Sequence, residues 1–332
     1  MTAEPGREHL CGLRDGTVLG GLMWECEHPG GLVVIRTPYD AEQHEPIARS
    51  WNARGYHCLV QDVRGRYRST GDWSPYTSEG GDGAQVLARL SSEYPGLPLV
   101  LFGASYAAHT ALEAARGAAF ASAAPVAAVI TLVPALGPAE TAWDADGAPW
   151  ITHRIGWWHE HGRHRRSLPP LPTAELDRRT AQAREQGFVE AARNWDWAPA
   201  ALADWRRLWS AERVDLSARY GHLDTPLLVI SGDDDFFDHD ARRLARAWSA
   251  PVHFASGPWG HRLVGGVTDE ALRSRITSAG GLSHIIDPWL RAQGMPGTAA
   301  AWTGVLASAA ASRTRSLLDP VSGAWCHERT SP

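Results

Sequence analysis

Apolar residues in the first 135 positions fall in short, nearly unbroken runs: 31–35 (GLVVI), 56–61, 97–102 and 126–133. Glycine-rich turns and helix-length stretches separate them. Strands spaced in this way predict βαβ units and a parallel sheet. The pattern returns at 226–231 (PLLVIS) and 251–255 (PVHFA), with a helical period over 240–250 between them, so the sheet is interrupted and then resumed. The interrupting segment carries Trp143, Trp150, Trp157, Trp158, Trp195, Trp197, Trp205 and Trp209, a cluster of His and Arg, the turn 169–172 (PPLP) and a helical pattern over 174–194. It reads as a helical cap. Beyond Gly294 strand periodicity fades into an Ala-, Ser- and Arg-rich tail with one predicted helix near 299–311. The expected division is an α/β core over 1–140 and 215–295, a cap over 141–214, and a partly helical tail over 296–332.

Composition narrows the chemistry. The chain has 332 residues, 44% hydrophobic and 21% charged, with a formal net charge of -5, which fits a globular protein and sets nucleic acid aside as a partner. All 32 residues counted as Lys or Arg are arginine. Schiff-base chemistry, pyridoxal phosphate anchoring and a Walker A lysine are therefore excluded. Four cysteines without CxxC spacing provide neither a zinc ribbon nor a thioredoxin motif and suit a reduced, cytoplasmic protein. The charged amino terminus has no apolar signal segment, and no stretch approaches the roughly 18 apolar residues of a membrane span, so no membrane association is expected.

The strongest chemical signal is LPLVLFGASYA (97–107), an apolar strand entering a small-residue turn around Ser105 and then a helical pattern. Gly103 and Ala107 at minus two and plus two let strand and helix approach while the serine stands exposed at the turn, the form of a nucleophile elbow. A serine hydroxyl needs a histidine base and an acid to orient it, following in the order serine, acid, histidine. The strand at 227–231 runs into Gly232 and three aspartates, Asp233, Asp234 and Asp235, and the strand at 252–255 runs into SGPWG and His261. Both lie at strand carboxyl ends, where open α/β sheets meet ligands.

These residues, with RDGT (14–17), RTPYD (36–40), ARGY (53–56), QDVRGR (61–66) followed by STG (69–71), GASY (103–106) and GPWGH (257–261), resemble the cocaine-esterase/NonD hydrolases, relatives of the X-Pro dipeptidyl peptidases and α-amino-acid ester hydrolases. The resemblance spans about 12–295 and implies an α/β-hydrolase fold, a mostly parallel sheet flanked by helices with an inserted cap. It implies Ser105 as nucleophile, His261 as general acid and base, and Asp235 as the orienting carboxylate, with Asp233 and Asp234 as neighbouring alternatives. Tyr39, through its phenol, and Tyr106, through its amide, would form the oxyanion hole. Because the family's pocket wall lies on the cap, Trp150, Trp157 and Trp158 are expected to contact an apolar acyl group. Trp259 is grouped with them at the site, chiefly to pack against His261.

The family usually continues into a carboxyl-terminal jelly-roll domain, for which the 37 residues after Met295 leave no room. The expected site is then more open, walled by the cap, or completed by a second subunit in a homo-oligomer. No cofactor is implied, and the substrate is a small molecule or short peptide with an ester, thioester or amide bond. Transfer of the acyl group to an amine or alcohol, and a non-catalytic binding role on the same scaffold, are the alternatives.

Several residues read as structural. His153, His159, His161 and His164 invite a metal, but the adjoining arginines would repel a cation, so no metal site is expected. Arg154 and 163–166 read as a surface patch able to attract an acidic substrate. Arg64 and Arg66 are expected to tie loops near the site, and His109 to be packed or at the surface. The resemblance to dipeptidyl peptidases, which bind an amino terminus with acidic residues, makes Asp144 and Asp146 in the cap candidate counterparts for a substrate amine, though no motif places them.

Overall fold

The structure is a computed structural model and describes residues 5–122, 124–295 and 313–329. Ten strands among these form one sheet: β1 (Arg7–Gly12), β2 (Val18–Trp24), β3 (Leu32–Thr37), β4 (His57–Asp62), β5 (Leu99–Ala104), β6 (Val126–Leu132), β7 (Leu227–Gly232), β8 (Val252–Gly257), β9 (Thr314–Leu318) and β10 (Trp325–Arg329). Their order is β1-β2-β4-β3-β5-β6-β7-β8-β9-β10, parallel from β4 to β9 and antiparallel at both ends.

The continuous apolar runs have a direct cause, since both faces of the parallel strands are covered. Along β3, Val33 and Ile35 join the core on one face and Leu32 and Val34 the core on the other. Val100 and Phe102 in β5 likewise oppose Leu99 and Leu101. The chain passes from β3 outward to β4 and returns to place β5 on the other side of β3. Crossovers leaving this pair in opposite directions open a crevice at the carboxyl ends of β3 and β5. Tyr39 follows the first strand and Ser105 the second.

The cap has a core of its own, built on Trp158, Trp195, Trp197, Trp205 and Trp209 with Ile151, Ile155 and Leu208. This absorbs most of the segment's tryptophan. Its first helix, Ile151–Trp157, widens into a π-turn over Trp158–Gly162. The helical pattern at 174–194 is two helices, Thr173–Gln186 and Phe188–Ala192, parted at Gly187 with φ 90°. Polar ties hold the cap to the sheet. Glu140 accepts from the Val214 amide at 2.6 Å, Arg66 reaches Ser167 at 2.9 Å and the Pro38 carbonyl at 2.8 Å, and Arg213 pairs with Asp240 at 3.1 Å.

Two expectations change. The tail is not without strands, because β9 pairs in parallel with β8 and β10 returns antiparallel on β9, extending the hydrolase sheet past the boundary drawn at 295. The run TRSLL alternates half-buried and buried positions at the sheet's end, a weaker signal than an all-apolar central strand. The helix expected at 299–311 lies outside the described residues. At the other end, β1 and β2 were not anticipated from the pattern, their glycines and charges obscuring the alternation. No described helix is long and apolar enough to cross a membrane.

Candidate active site

Ser105 joins β5 to the helix Tyr106–Ala121 with φ 55° and ψ -121°. A non-glycine residue held there stores strain that the surrounding backbone must support. The Ser105 amide donates to the Leu132 carbonyl at 2.9 Å, and its carbonyl accepts from Ala135 at 3.2 Å, clamping the turn from the end of β6. The close approach is real at Gly103, where a Cβ would lie 2.1 Å from the Ala107 carbonyl oxygen. Ala107 itself fits with its methyl buried.

His261 Nε2 lies 2.9 Å from Ser105 Oγ, and His261 Nδ1 lies 2.9 Å from Asp235 Oδ1. The Asp235 carboxylate is fully buried, and its Oδ2 has no hydrogen-bond partner among the described residues. Asp234 is exposed, and Asp233 accepts from Ser256 Oγ at 2.5 Å, which leaves Asp235 as the aspartate of the three that meets the imidazole. Phe236 stacks on the His261 ring with centroids 4.5 Å apart, and Phe237 meets it edge-on at 5.4 Å. Two aromatics immediately after Asp235 thus restrict the ring's orientation, a signal that the sequence carries as FF at 236–237.

The turns carrying Asp235 and His261 are laced together. The Asp233 and Asp234 amides donate to the Gly257 and Trp259 carbonyls at 2.9 and 3.2 Å, and Trp259 Nε1 donates to the Ser231 carbonyl at 2.8 Å. Trp259 is buried and does not line the cleft. Its place among the substrate contacts is corrected; it is a spacer between the two turns, fitted against Gly232 and Gly257, where a Cβ would come within 2.5 Å of its ring.

Tyr39 presents its hydroxyl to Ser105. Trp157 Nε1 donates to that oxygen at 3.0 Å, leaving the phenol's single proton to point elsewhere. Burial pushes the Tyr39 phenol up to about 12, so it is a neutral donor at ordinary pH. The Tyr106 amide opens the helix, where N–H groups lack intrahelical acceptors. Its side chain turns away, donating to Glu79 and accepting from the Tyr76 amide at 2.7 Å.

These groups meet in a cleft of about 420 Å³. Trp157 lines it and bonds Tyr39. Trp158 does not line it. With 0% exposure it belongs to the cap core, one helical step around from Trp157. Trp150 stands behind the wall, 5.6 Å from His153 and 6.1 Å from Phe236, which do line it. His161 also lines it, its Nδ1 2.8 Å from Ser167 Oγ and its ring pushed down to about 4 by burial and by Arg66. His159 approaches Arg163, and His109 is packed with Nδ1 at 3.1 Å from the Leu136 carbonyl. Asp144 Oδ1 accepts from the Asp146 and Ala148 amides at 3.0 and 2.7 Å, Asp146 is exposed, and neither aspartate lines the cleft. Arg154 is no surface residue; it is buried and lines the cleft.

A family model for the X-Pro dipeptidyl-peptidase (S15 family) matches residues 23–262. The cocaine esterase of Rhodococcus sp. (strain MB1 Bresler) is 25% identical over 292 residues, 75% of this chain and 47% of the esterase. An aminopeptidase from the marine sediment archaeon Thaumarchaeota archaeon superposes with a TM-score of 0.71 at 18% identity, over 97% of this chain and 58% of its own. An α-amino acid ester hydrolase does so with a TM-score of 0.63 at 15% identity, over 98% and 58%. The chain spans about half the length of these relatives, and the structural likeness establishes the α/β-hydrolase fold. The family match opens within β2 and closes one residue beyond His261, enclosing Tyr39, Ser105, Asp235 and His261 in one stretch; the chain belongs to the X-Pro dipeptidyl-peptidase (S15) family.

Proposed function

We propose that this protein is a serine hydrolase that cleaves an ester or amide bond of a small molecule or short peptide through an acyl-enzyme on Ser105. The observation that carries the reading is the pair of 2.9 Å contacts linking Ser105, His261 and Asp235 at the crevice between β3 and β5. As Ser105 Oγ attacks the carbonyl carbon, its proton passes to His261 Nε2, and the carbonyl electrons move onto an oxyanion facing the Tyr39 phenol and the Tyr106 amide. Collapse expels the alcohol or amine, which takes the proton from His261. Water then enters and attacks the acyl carbon as it gives a proton to His261, and collapse releases the acid while His261 returns that proton to Ser105 Oγ. Asp235 holds the imidazole in the tautomer this requires and offsets its transient charge.

A free substrate amine is not what this cleft suits. Among the described residues lining it none is aspartate or glutamate, and neither Asp144 nor Asp146 is one of them. We therefore assign the protein an acyl-ester or acyl-amide substrate rather than an amino-terminal dipeptide. A fluorophosphonate probe tests the reading. Labelling of the native protein that disappears in Ser105→Ala is expected, and a folded protein that resists labelling would overturn it. Product analysis with and without an added amine or alcohol then separates hydrolysis from acyl transfer, since hydrolysis yields the free acid alone.

A further inference from the structure

A buried cation is costly unless a counter-charge or a full set of acceptors meets it. The two other buried arginines among the described residues are anchored by protein acceptors, although Nη2 of Arg36 stays unpartnered: Arg36 bonds Gln61 and the Glu79 carbonyl, and Arg66 bonds the Pro38 carbonyl and Ser167. Arg154 is less well met. It is 4% exposed, its Nε and Nη2 are enclosed with no acceptor, and no aspartate or glutamate is paired with it among the described residues. Its surroundings are aromatic, with the guanidinium over the Trp157 ring at 5.0 Å and the Tyr76 phenol beside it. A guanidinium cannot shed its charge, so the positive charge is held, uncompensated, in the wall of the cleft that contains Ser105 and His261.

We infer that Arg154 binds a carboxylate carried by the substrate's acyl group. The inference rests on the serine-hydrolase reading and specifies its substrate class. The acyl side follows from the neighbours. Arg154 clusters with Trp157 and Tyr76, and these adjoin Tyr39 and Tyr106 on the oxyanion side. The leaving group must instead lie by His261, which protonates it and is flanked by Phe236 and Phe237. A carboxylate reaching the guanidinium from the cleft would make an ionic contact sharpened by the low-dielectric wall.

The test compares 4-nitrophenyl hydrogen glutarate with the uncharged carboxamide ester of the same length. The native protein is expected to prefer the anionic ester in kcat/KM by roughly 10- to 150-fold, the range of a hydrogen bond to a charged group. Arg154→Gln should bring that ratio close to one, and Arg154→Lys should keep part of it. Absence of a preference in the native protein overturns the inference even if the Gln variant fails to fold, as does an equal fall for both esters in the variant. Binding is read separately by thermal melting in Ser105→Ala, where glutarate but not glutaramide should raise the melting temperature only while Arg154 is present. That result without turnover of either ester would sink the hydrolase reading and leave the anion site standing, whereas turnover without charge preference would do the reverse.

Discussion

Replacing Tyr39 by phenylalanine removes one hydroxyl and almost no volume. In the structure that oxygen accepts from Trp157 Nε1 at 3.0 Å, so its one proton is free for the oxyanion. Loss of one such preorganised donor costs about 2.7–4 kcal/mol of transition-state stabilisation, or 10²- to 10³-fold in kcat, with the Tyr106 amide left to act alone. The Trp157 N–H also loses its acceptor; for a half-buried indole this costs about 1 kcal/mol of stability, at the low end of an unsatisfied donor. Steady-state hydrolysis of a 4-nitrophenyl ester should show the loss in kcat with KM little changed, and thermal melting should fall by a few degrees. Trp157→Phe keeps the hydroxyl but frees it to turn, and a fall of about fivefold is expected from one neutral hydrogen bond. A Tyr39→Phe enzyme within threefold of native kcat, or one impaired through KM alone, would refute the oxyanion role.

Asp235→Asn should lower kcat about ten-thousand-fold by favouring the wrong imidazole tautomer, while Asp234→Asn, at an exposed position, should leave it within twofold; comparable losses would mean the acid is misassigned. Gly103→Ala forces a methyl into the Ala107 carbonyl, 2.1 Å away and backbone on both sides, so destabilisation at the upper end of the 1–3 kcal/mol of overpacking, or beyond it, is expected in denaturant melts. Trp158→Ala empties the cap core and should cost about 3–5 kcal/mol in the same measurement. Burial holds His161 down to about 4 and His253 to about 3, against an ordinary 6.5. The unfolded chain therefore takes up protons the folded one refuses, and stability present above pH 6.5 is lost as pH falls toward 4. Each imidazole contributes a slope of about 1.4 kcal/mol per pH unit. Asp62, pushed up to about 6 by burial, works in the opposite sense between about pH 4 and 6. The melting temperature should still drop from pH 6.5 to 4.5, and His161→Gln should flatten that drop; a flat native profile would count against the burial of these rings.

Much of this site was readable from sequence because its parts are backbone features with local signatures. A glycine two residues before a serine, or aspartates just after an apolar strand, announces a turn whose geometry the chain itself dictates. The central strands were readable for a related reason, since burial on both faces leaves no polar alternation to confuse them. Side chains of the cap were harder to place. Trp157 and Trp158 are adjacent and chemically identical, yet the helix turns one toward the cleft and the other into the cap core, and only the cap's docking angle decides which. Arg154 looked like part of an arginine-rich surface because partnering is a tertiary property, invisible until the side chains around it are placed. The edge strands were missed at both ends, where half-exposed pleats tolerate charge and glycine.

The strands β9 and β10 give the chain's last segment an influence on residues far from it. β9 lies along β8, and Trp325 in β10 packs against Trp259, with ring centroids 6.0 Å apart. Trp259 in turn wedges apart the two loops from which the imidazole and its carboxylate project. Shortening the polypeptide before Thr314 would strip that edge, leave β8 unzipped on one side and loosen the wedge. Activity would then fade through a wandering base, with the nucleophile's turn, braced separately by β6, still intact.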